Sequence, residues 1–298
     1  MTATKIAING FGRIGRSFFR AAFGMPEFDI VAVNDLTDPK TLAYLLKYDS
    51  VYGRYQKKVE PAAGGLIVDG VPVGVLAEKE PARLPWANLG VDIVVESTGL
   101  FADGAKAHAH IAAGAKRVVI TAPASGEATT ALIGVNDDRF ATAGPITANA
   151  SCTTNCITPV AKVIEDHFGI EKAMMTTIHG YTSDQRLQDG GHKDYRRARA
   201  ASQNIVPTST GATKAAAKAL PQLNGIFNGL AIRVPVITGS LSDFTFVLKK
   251  DATVDGINDA FRNASEKSEF KGILAVTEDP IVSSDIIGNP YSAIVDLS

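Results

Sequence analysis

Three glycines near the N-terminus constrain the fold of this chain more than any other feature of its sequence. Gly10, Gly12 and Gly15 form the pattern G-x-G-x-x-G between a β-type run at 5–9 and a helical stretch from about 14 to 23. With 27 glycines in the chain, the spacing alone carries little weight, but the strand–turn–helix setting is specific. In that setting the glycines allow a tight turn and a close approach of the backbone to a pyrophosphate. The pattern predicts a dinucleotide-binding unit.

An acidic side chain lies where such a unit places one. A second strand, at 30–34, ends at Asp35, twenty residues beyond Gly15 (35 − 15 = 20). A carboxylate at this position accepts hydrogen bonds from the adenosine ribose and repels the 2′-phosphate of NADP. The sequence therefore favours NAD as the cofactor. The alternative is a glycine turn in an unrelated α/β unit, in which Asp35 merely ends a strand.

Strands and helices alternate through the first third of the chain. Asp38 and Pro39 have the chemistry of an N-cap and a first helical residue, and a hairpin is predicted about Asp69-Gly70. Alternation of this kind is typical of a parallel, doubly wound sheet. We predict an α/β fold in which residues 1–150 form a Rossmann-type doubly wound dinucleotide-binding domain.

The sequence pattern changes after about residue 150. A helix is predicted to end at Gly169, and an apolar strand runs from 173 to 179. Apolar and polar residues alternate from 242 to 249, which is typical of a sheet with one exposed face. We predict that residues 151–298 form an α+β catalytic domain with a large one-sided sheet.

Composition argues against several classes of protein. The 298 residues are 45% hydrophobic and 20% charged, close to globular averages, and the formal net charge is −1. This balance gives no reason to expect a dedicated nucleic-acid partner, and no apolar run reaches the roughly 18 residues of a membrane span. The two cysteines cannot form a disulfide framework, and the five histidines do not cluster at metal-ligand spacing. We therefore expect no metal site, no membrane partner and a cytoplasmic location.

Two cysteines, Cys152 and Cys156, lie one turn apart at the start of a predicted helix. A thiol at a helix N-terminus gains from the positive end of the helix dipole and from free N–H groups, and both lower its pKa. Thr153 and Thr154 are predicted to supply capping oxygens. Cys152, at the turn itself, is the candidate nucleophile, with an inert buried thiol as the alternative. For Cys156 the inert thiol is the preferred interpretation.

A histidine ends the strand that follows this helix. His179 comes after an apolar run, where a histidine is more often structural than catalytic. The crossover from the helix to this strand brings the strand end back toward Cys152. The two residues then have the nucleophile-and-base arrangement of covalent catalysis.

The resemblance to a known family rests on four segments, Asn9–Arg16, Ala150–Ile157, Thr176–Arg186 and Pro207–Thr213. Together they resemble phosphorylating glyceraldehyde-3-phosphate dehydrogenase, and the match runs along essentially the whole chain. The segment around Cys152 is the most specific of the family's motifs.

The resemblance implies a reaction and its residues. Cys152 would attack the aldehyde of glyceraldehyde 3-phosphate to give a thiohemiacetal, and His179 would act as the base. Hydride transfer to NAD would leave a thioester, which inorganic phosphate would cleave to 1,3-bisphosphoglycerate in glycolysis or gluconeogenesis. Two alternatives stay open: an erythrose-4-phosphate dehydrogenase, and a non-catalytic binding role for a truncated chain.

The resemblance also implies binding residues. Thr182 and Arg233 match the residues that hold the substrate's phosphate. The residues implied for the attacking phosphate are Ser151, Thr153, Arg197, Thr210 and Gly211. Besides the three glycines and Asp35, the residues implied for the cofactor are Arg13, Ile14, Lys79 and Thr121.

The resemblance further implies a homotetramer, in which the basic run Lys193–Arg199 lies between subunits. Three departures from the family pattern stand out. Gly190-Gly191 replaces the Leu-Pro of many NAD-specific members, so some use of NADP is conceivable, and Lys79 stands where arginine is common. The family's last strands and closing helix are absent after Ser298, so we expect the second domain to be truncated at its C-terminus.

Overall fold

The structure, a computed structural model, describes residues 2–298 and divides into two compact units. Unit 1 consists of residues 2–131 together with Asp138–Ala150. Unit 2 consists of Leu132–Asp137 together with Ser151–Ser298. Each unit has its own sheets and helices.

Unit 1 contains eleven strands and five helices in its described part. In chain order they are β1 (Thr4–Asn9), α1 (Arg13–Ala22), β2 (Phe28–Asn34), α2 (Pro39–Lys47), β3 (Tyr48–Asp49), β4 (Gly53–Arg54), β5 (Val59–Ala62), β6 (Gly65–Val68), β7 (Val71–Leu76), α3 (Trp86–Leu89), β8 (Ile93–Glu96), α4 (Gly104–Ala112), β9 (Arg117–Ile120), β10 (Thr129–Thr130), α5 (Asp138–Thr142) and β11 (Ile146–Ala148).

Nine of these strands form one sheet in the order β10-β11-β9-β8-β1-β2-β7-β6-β5. All neighbours from β10 to β7 are parallel, and the remaining two pairs are antiparallel. The chain passes from β1 to β2 on one side and returns on the other side of β1 with β8, so the strand order reverses at β1. Ligands of open parallel sheets bind at such a switch point, at the carboxyl ends of the strands. The doubly wound topology predicted from the sequence is confirmed.

Local sequence signals account for the turns of unit 1. Asp38 caps α2 by accepting a hydrogen bond from Thr41 N, with Pro39 as the first helical residue. The predicted hairpin is present between β6 and β7, where Asp69 and Gly70 both have positive φ, 47° and 83°. This combination matches the right-handed twist of the paired strands.

Both faces of the large sheet are covered. Ile6 and Ile8 of β1 lie in one core cluster with Phe19 of α1. Ala7, on the opposite face of the same strand, belongs to a second cluster that includes Trp86 and residues of α4. Because side chains alternate between the two faces of a strand, β1 contributes to both cores. The end of this strand is therefore held by packing on both sides.

Unit 2 contains three helices and six strands in its described part. They are α6 (Cys152–Phe168), β12 (Ile170–Gly180), β13 (Val206–Ser209), α7 (Ala212–Ala219), β14 (Phe227–Val234), β15 (Ser240–Leu248), α8 (Val254–Glu266), β16 (Leu274–Thr277) and β17 (Ala293–Asp296).

The main sheet of unit 2 has the order β13-β14-β12-β15, and β16 and β17 form a separate parallel pair. Within the sheet β12 and β14 run parallel, and the outer pairs are antiparallel. Helices α6 and α7 pack against one face. On the other face Met174, Leu230 and Leu241 are exposed. The α+β character and the one-sided sheet agree with the sequence, with four strands in that sheet.

Within residues 2–298 no helix is both long and apolar enough to pass through a bilayer. The described part of the chain also brings together no group of three His, Cys, Asp or Glu side chains that could hold a metal ion.

Candidate active site

The first turn of α6 presents a thiol. Ser151 is the N-cap, with extended backbone (φ −100°, ψ 164°), and its Oγ accepts a hydrogen bond from Thr154 N at 3.1 Å. Cys152 is the first helical residue and is exposed. The prediction that Thr153 and Thr154 supply the capping oxygens is wrong, because both already lie inside the helix and a capping side chain must precede it. Ala150, just before the cap, has φ 55°, a conformation that costs a non-glycine residue energy.

An imidazole lies beside this thiol. Cys152 Sγ is 3.4 Å from His179 Nε2, at the carboxyl end of β12. The residue is exposed at the surface, but the protein around the sulfur partly desolvates it, which by itself would raise the pKa of the thiol. The hydrogen bond and charge of His179, with contributions from Thr153, bring the pKa below its ordinary value. The thiolate is therefore favoured, and a thiolate is the reactive form of cysteine.

The second ring nitrogen of His179 is held by the backbone. Nδ1 is 2.6 Å from Gly180 O and 2.8 Å from Arg233 Nη1, and Arg233 Nη1 also donates to Gly180 O at 3.1 Å. We assign the proton to Nδ1 because the carbonyl oxygen of Gly180 can only accept and lies at the shorter distance. Arg233 Nη1 then donates to the same carbonyl, and its contact with Nδ1 is not a hydrogen bond. In this tautomer Nε2 is free to accept a proton from Cys152.

The second cysteine differs in chemistry although it is one turn further along α6. Burial, with a smaller contribution from the Cys152 charge, raises the pKa of Cys156 to about 11. Among the described residues, no hydrogen bond offsets this burial in the way that His179 does for Cys152. The thiol stays protonated near neutral pH, which agrees with an inert side chain.

Arg233 lies next to His179 because of strand register. β12 and β14 are parallel neighbours, and His179 is paired with Arg233 across them. Burial, and secondarily the charge of Arg197, lowers the pKa of Arg233. Its Nε has no hydrogen-bond partner, and no carboxylate in the described part of the chain forms a salt bridge with it. A half-buried guanidinium without an acidic partner is suited to holding an anion.

Arg197, by contrast, is already paired. Its Nη1 donates to Asp184 Oδ2 at 2.5 Å and its Nε donates to Thr208 Oγ1 at 2.9 Å, while Asp194 Oδ2 lies 3.6 Å away. The sequence analysis missed these carboxylates, because Asp184 and Asp194 lie in a loop without periodicity. The pairing shows that the two arginines are not equivalent.

The remaining residues predicted to bind phosphate have different surroundings. Thr182 is exposed, and its backbone N–H donates to Gln185 Oε1 at 3.4 Å. Thr153 is buried in the first turn of α6. Thr210 Oγ1 accepts from Ala212 N at 3.1 Å, just before α7, and Gly211 beside it has open space where a Cβ would be. Ser151 and Thr153 flank Cys152 in the chain.

Each glycine of the turn in unit 1 has its own surroundings. Gly10 has φ 90°, and a Cβ there would lie 2.7 Å from Thr98 N. A Cβ on Gly15 would collide with the carbonyl of Gly10. Gly12 has nothing within 4 Å of its Cβ position and starts α1 with no side-chain cap. The open approach to free N–H groups fits a pyrophosphate.

The predicted ribose ligand anchors this turn. Asp35 Oδ2 accepts from Phe11 N at 2.8 Å, and Oδ1 accepts from Thr37 N at 3.0 Å. Both oxygens keep lone pairs for further donors.

The other residues predicted to bind the cofactor have varied environments within unit 1. Arg13 forms an ion pair with Asp49 at 2.7 Å, and Ile14 is 55% exposed. Thr121 Oγ1 donates to Glu96 O at 3.0 Å, and Lys79 is exposed.

Comparison with known proteins gives the same result along the whole chain. Residues 4–104 match the model of the glyceraldehyde 3-phosphate dehydrogenase NAD binding domain, and residues 151–298 match that of the C-terminal domain. The chain is 55% identical over 298 residues to the glyceraldehyde-3-phosphate dehydrogenase of Borreliella burgdorferi, covering 98% of this chain and 89% of that protein. The enzyme of Streptomyces coelicolor is 53% identical over 296 residues, covering 99% and 88%. That of Mycobacterium tuberculosis is 54% identical over 299 residues, covering 98% and 88%.

A doubly wound sheet with a glycine turn, together with a thiol beside an imidazole, defines the class of dinucleotide-dependent oxidoreductases that act through a cysteine nucleophile. Within that class the chain belongs to the glyceraldehyde-3-phosphate dehydrogenase family.

Proposed function

We propose that the chain catalyses the NAD-dependent, phosphorylating oxidation of glyceraldehyde 3-phosphate to 1,3-bisphosphoglycerate. The observation that carries this proposal is the 3.4 Å contact between Cys152 Sγ and His179 Nε2, next to the guanidinium of Arg233, for which the described residues supply no acidic partner. Family membership supports NAD as the cofactor. In this proposal residues 1–150 bind NAD, and residues 151–298 carry the catalytic groups.

The residues of unit 1 fit the cofactor. The open N-terminus of α1 at Gly12 suits the pyrophosphate, and the Asp35 carboxylate suits a ribose. Arg13, Ile14, Lys79 and Thr121 complete the proposed set by family resemblance. NAD, when bound, supplies the hydride acceptor. The role of the chain's own residues is to bind and orient the substrate and the cofactor and to transfer protons.

Cys152 and His179 perform the covalent steps. The Cys152 thiolate attacks the aldehyde carbon and the carbonyl π bond opens. The carbonyl oxygen takes the proton that His179 Nε2 had received from the thiol, which gives a thiohemiacetal. As the carbon is oxidised, His179 Nε2 accepts the hydroxyl proton and a thioester on Cys152 remains. An oxygen of inorganic phosphate then attacks the thioester carbon, the acyl phosphate is released and the thiolate is restored. A positioned base of this kind contributes about 10²–10⁴-fold to the rate.

Two anions must be held while this happens. We propose that Arg233 and Thr182 hold the phosphate of the substrate. The second set, for the attacking phosphate, is Ser151, Thr153, Arg197, Thr210 and Gly211. Because Asp184 already neutralises part of the charge of Arg197, this second site should bind its anion more weakly, which suits a phosphate that enters and leaves in every turnover.

A substrate comparison tests the proposal. NADH formation is followed with glyceraldehyde 3-phosphate and with erythrose 4-phosphate, each with and without inorganic phosphate. We expect steady turnover with glyceraldehyde 3-phosphate only when phosphate is present, and a lower kcat/KM for erythrose 4-phosphate. Preference for erythrose 4-phosphate, or turnover that does not depend on phosphate, would contradict the proposed reaction.

We also propose a homotetramer in the cytoplasm. The family relationship supports the assembly, with Lys193–Arg199 at a subunit contact, and the two free thiols support a reducing compartment. Sedimentation equilibrium at micromolar concentration gives the assembly directly, and a monomer would contradict it.

A further inference from the structure

A buried acidic residue in unit 1 has no part in the chemistry described above. Glu96 ends β8 and is 1% exposed. β8 and β1 are parallel neighbours with Glu96 paired to Asn9, and β2 places Asn34 beside Asn9 on the other side. Three polar side chains therefore stand in a row at the carboxyl ends of the three central strands, where a purely structural core would have apolar residues.

The Glu96 carboxylate is surrounded by hydrogen-bond donors. Oε2 accepts from Asn9 Nδ2 at 2.6 Å and lies 3.0 Å from His110 Nε2. Oε1 accepts from Thr98 N at 2.8 Å and from Thr98 Oγ1 at 2.5 Å. Burial would raise the pKa of Glu96, but these bonds from His110, Thr98 and Asn9 hold it below its ordinary value. Four donors around two oxygens satisfy a carboxylate and leave no acceptor for an amide N–H.

Neighbouring side chains fix the orientation of these donors. Trp86 Nε1 donates to His110 Nδ1 at 3.0 Å. Since an indole nitrogen can only donate, His110 Nδ1 must accept, and the ring proton lies on Nε2 facing Glu96. Asn34 Nδ2 donates to Asn9 Oδ1 at 2.7 Å, so the amide of Asn9 also has only one orientation. Trp86 and His110 are fully buried, which holds this arrangement in place.

This network leads directly to the glycine turn. Asn9 immediately precedes Gly10, and Thr98 N lies 2.7 Å from the position that a Cβ on Gly10 would occupy. Ser97, next to Glu96, donates from Oγ to Gly10 O at 2.6 Å. Asn9, which precedes Gly10, and Thr98, which packs against it, therefore both donate hydrogen bonds to the Glu96 carboxylate.

We propose that Glu96 is a positioning residue for the cofactor-binding turn, which it holds in its binding geometry through Asn9 and Thr98. This inference rests on the NAD binding proposed above. Glu96 need not contact NAD to act in this way. Its loss should weaken NAD binding while the chemistry at Cys152, in the other unit, continues at saturating NAD.

The variant Glu96→Gln tests this role, because it keeps the shape but places an N–H₂ group against donors. Leaving buried donors unpaired destabilises the arrangement that they hold. We expect the Kd for NAD, measured by titration, to rise about tenfold, one 1.4 kcal/mol step, with kcat at saturating NAD within about twofold. Hydrogen exchange of the peptide spanning residues 8–16, without NAD, should be faster than in the unmodified protein.

Asp92→Asn is the matched control. Asp92 lies just before the opposite end of β8 and accepts from Lys5 N at 2.9 Å and from Lys116 Nζ at 2.6 Å. The Asp92→Asn variant therefore also removes a hydrogen-bonded carboxylate next to the same strand, but away from the glycine turn. We expect the NAD affinity and the 8–16 exchange of this variant to match those of the unmodified protein.

A second substitution provides a rescue. In Trp86→Phe, His110 no longer receives an indole proton, so its own proton can move to Nδ1 and Nε2 can accept from the amide introduced at position 96. The double variant Glu96→Gln/Trp86→Phe should bind NAD about threefold more tightly than Glu96→Gln alone, although general damage to the core would make two substitutions worse than one. If the single variant does not fold, a folded double variant with weakened NAD affinity supports the role.

The outcomes separate the two proposals. If the unmodified protein does not bind NAD, the proposed function fails. If it binds NAD and Glu96→Gln binds equally well, or if the double variant is weaker than Glu96→Gln or also fails to fold, the role of Glu96 is overturned and the proposed function stands.

Discussion

Two helices of this chain begin at candidate functional positions, and their first turns are built differently. α1 starts at Gly12 with no side-chain cap and with open space above its first residues. α6 starts at Ser151, whose hydroxyl caps the helix, and its first residue carries the thiol of Cys152. Both helix N-termini offer partial positive charge.

The difference lies in which negative charge that helix end stabilises. At α1 no side chain of the first turn supplies an anion, so the N–H groups are left for the phosphates of a ligand. At α6 the sulfur of the chain itself becomes the anion, and His179 lowers the pKa further. Substitutions at the start of α6 should therefore abolish turnover, whereas those near α1 should change cofactor binding.

The largest effect is expected for Cys152→Ser. A serine hydroxyl does not ionise near neutral pH, so no covalent intermediate forms and phosphorylating activity should fall by more than about 10³-fold. NAD binding, measured by titration, should persist. Cys156→Ser is the matched control one turn away, and its activity should stay within about threefold of the unmodified protein. Equal losses in the two variants would remove the distinction between these thiols.

Removing the imidazole should give the next largest effect. His179→Asn leaves Cys152 with the burial that raises its pKa and without the partner that lowers it. We expect kcat to fall about 10²–10⁴-fold. The midpoint of the alkylation rate of Cys152 against pH should also move upward, because less thiolate is present at neutral pH. An unchanged alkylation profile would make His179 a structural strand-end residue.

The next largest effect is a difference between Arg233 and Arg197 in the binding of the substrate. Because α6 uses its helix end for the thiolate, the phosphate of the substrate needs a cation from elsewhere, and Arg233 lacks an acidic partner. Arg233→Lys removes the planar fork and should raise KM for glyceraldehyde 3-phosphate about tenfold or more. Arg197→Lys should change it less, because Asp184 already pairs with Arg197. Arg262→Lys, at an exposed pair with Glu278, is the surface control. Equal KM values for Arg233→Lys and Arg262→Lys would contradict the proposed phosphate site.

The sequence predicted the start of α1 almost completely and the start of α6 in part. Gly10 and Gly15 are readable because a side chain at either position would collide with neighbouring backbone, and Gly12 is readable because it leaves the start of α1 open. The approach of His179 to Cys152 was also predictable, because a helix followed by an adjacent strand returns the chain to its starting edge. The capping role of Ser151 was misassigned, since one residue decides where a helix begins.

The Glu96 network was not foreseen from the sequence. Its members Asn9, Trp86, Glu96 and His110 lie apart in the chain. The register of β1 against β8 pairs Asn9 with Glu96, and the packing of α3 and α4 brings Trp86 and His110 to that pair. A usable signal was present: Glu96 is the single acidic residue at the end of an otherwise apolar strand. Pairings such as Asp184 with Arg197 also depend on tertiary placement within an irregular loop.

The smallest expected effect concerns cofactor choice at α1. Two anions a few ångströms apart repel by about 1–4 kcal/mol at the dielectric of water or of a protein surface. We therefore expect kcat/KM for NAD to exceed that for NADP by about tenfold or more. By resemblance to the family, the Gly190-Gly191 segment would remove only a steric obstacle to NADP, so we expect the repulsion by Asp35 to decide the preference.

Asp35→Asn and Asp35→Ala separate two roles of this residue. The Asp35 carboxylate accepts from Phe11 N at 2.8 Å, so it anchors the turn as well as carrying charge. The asparagine keeps an acceptor and loses the charge. It should therefore narrow the preference for NAD by raising kcat/KM for NADP, while kcat/KM for NAD changes little. The alanine loses both roles and should weaken the binding of both cofactors. The ratio of kcat/KM for NAD to that for NADP should narrow as in Asp35→Asn. A ratio unchanged in both variants would mean that the carboxylate does not face the 2′ position, and that α1 discriminates between the cofactors by some group other than Asp35.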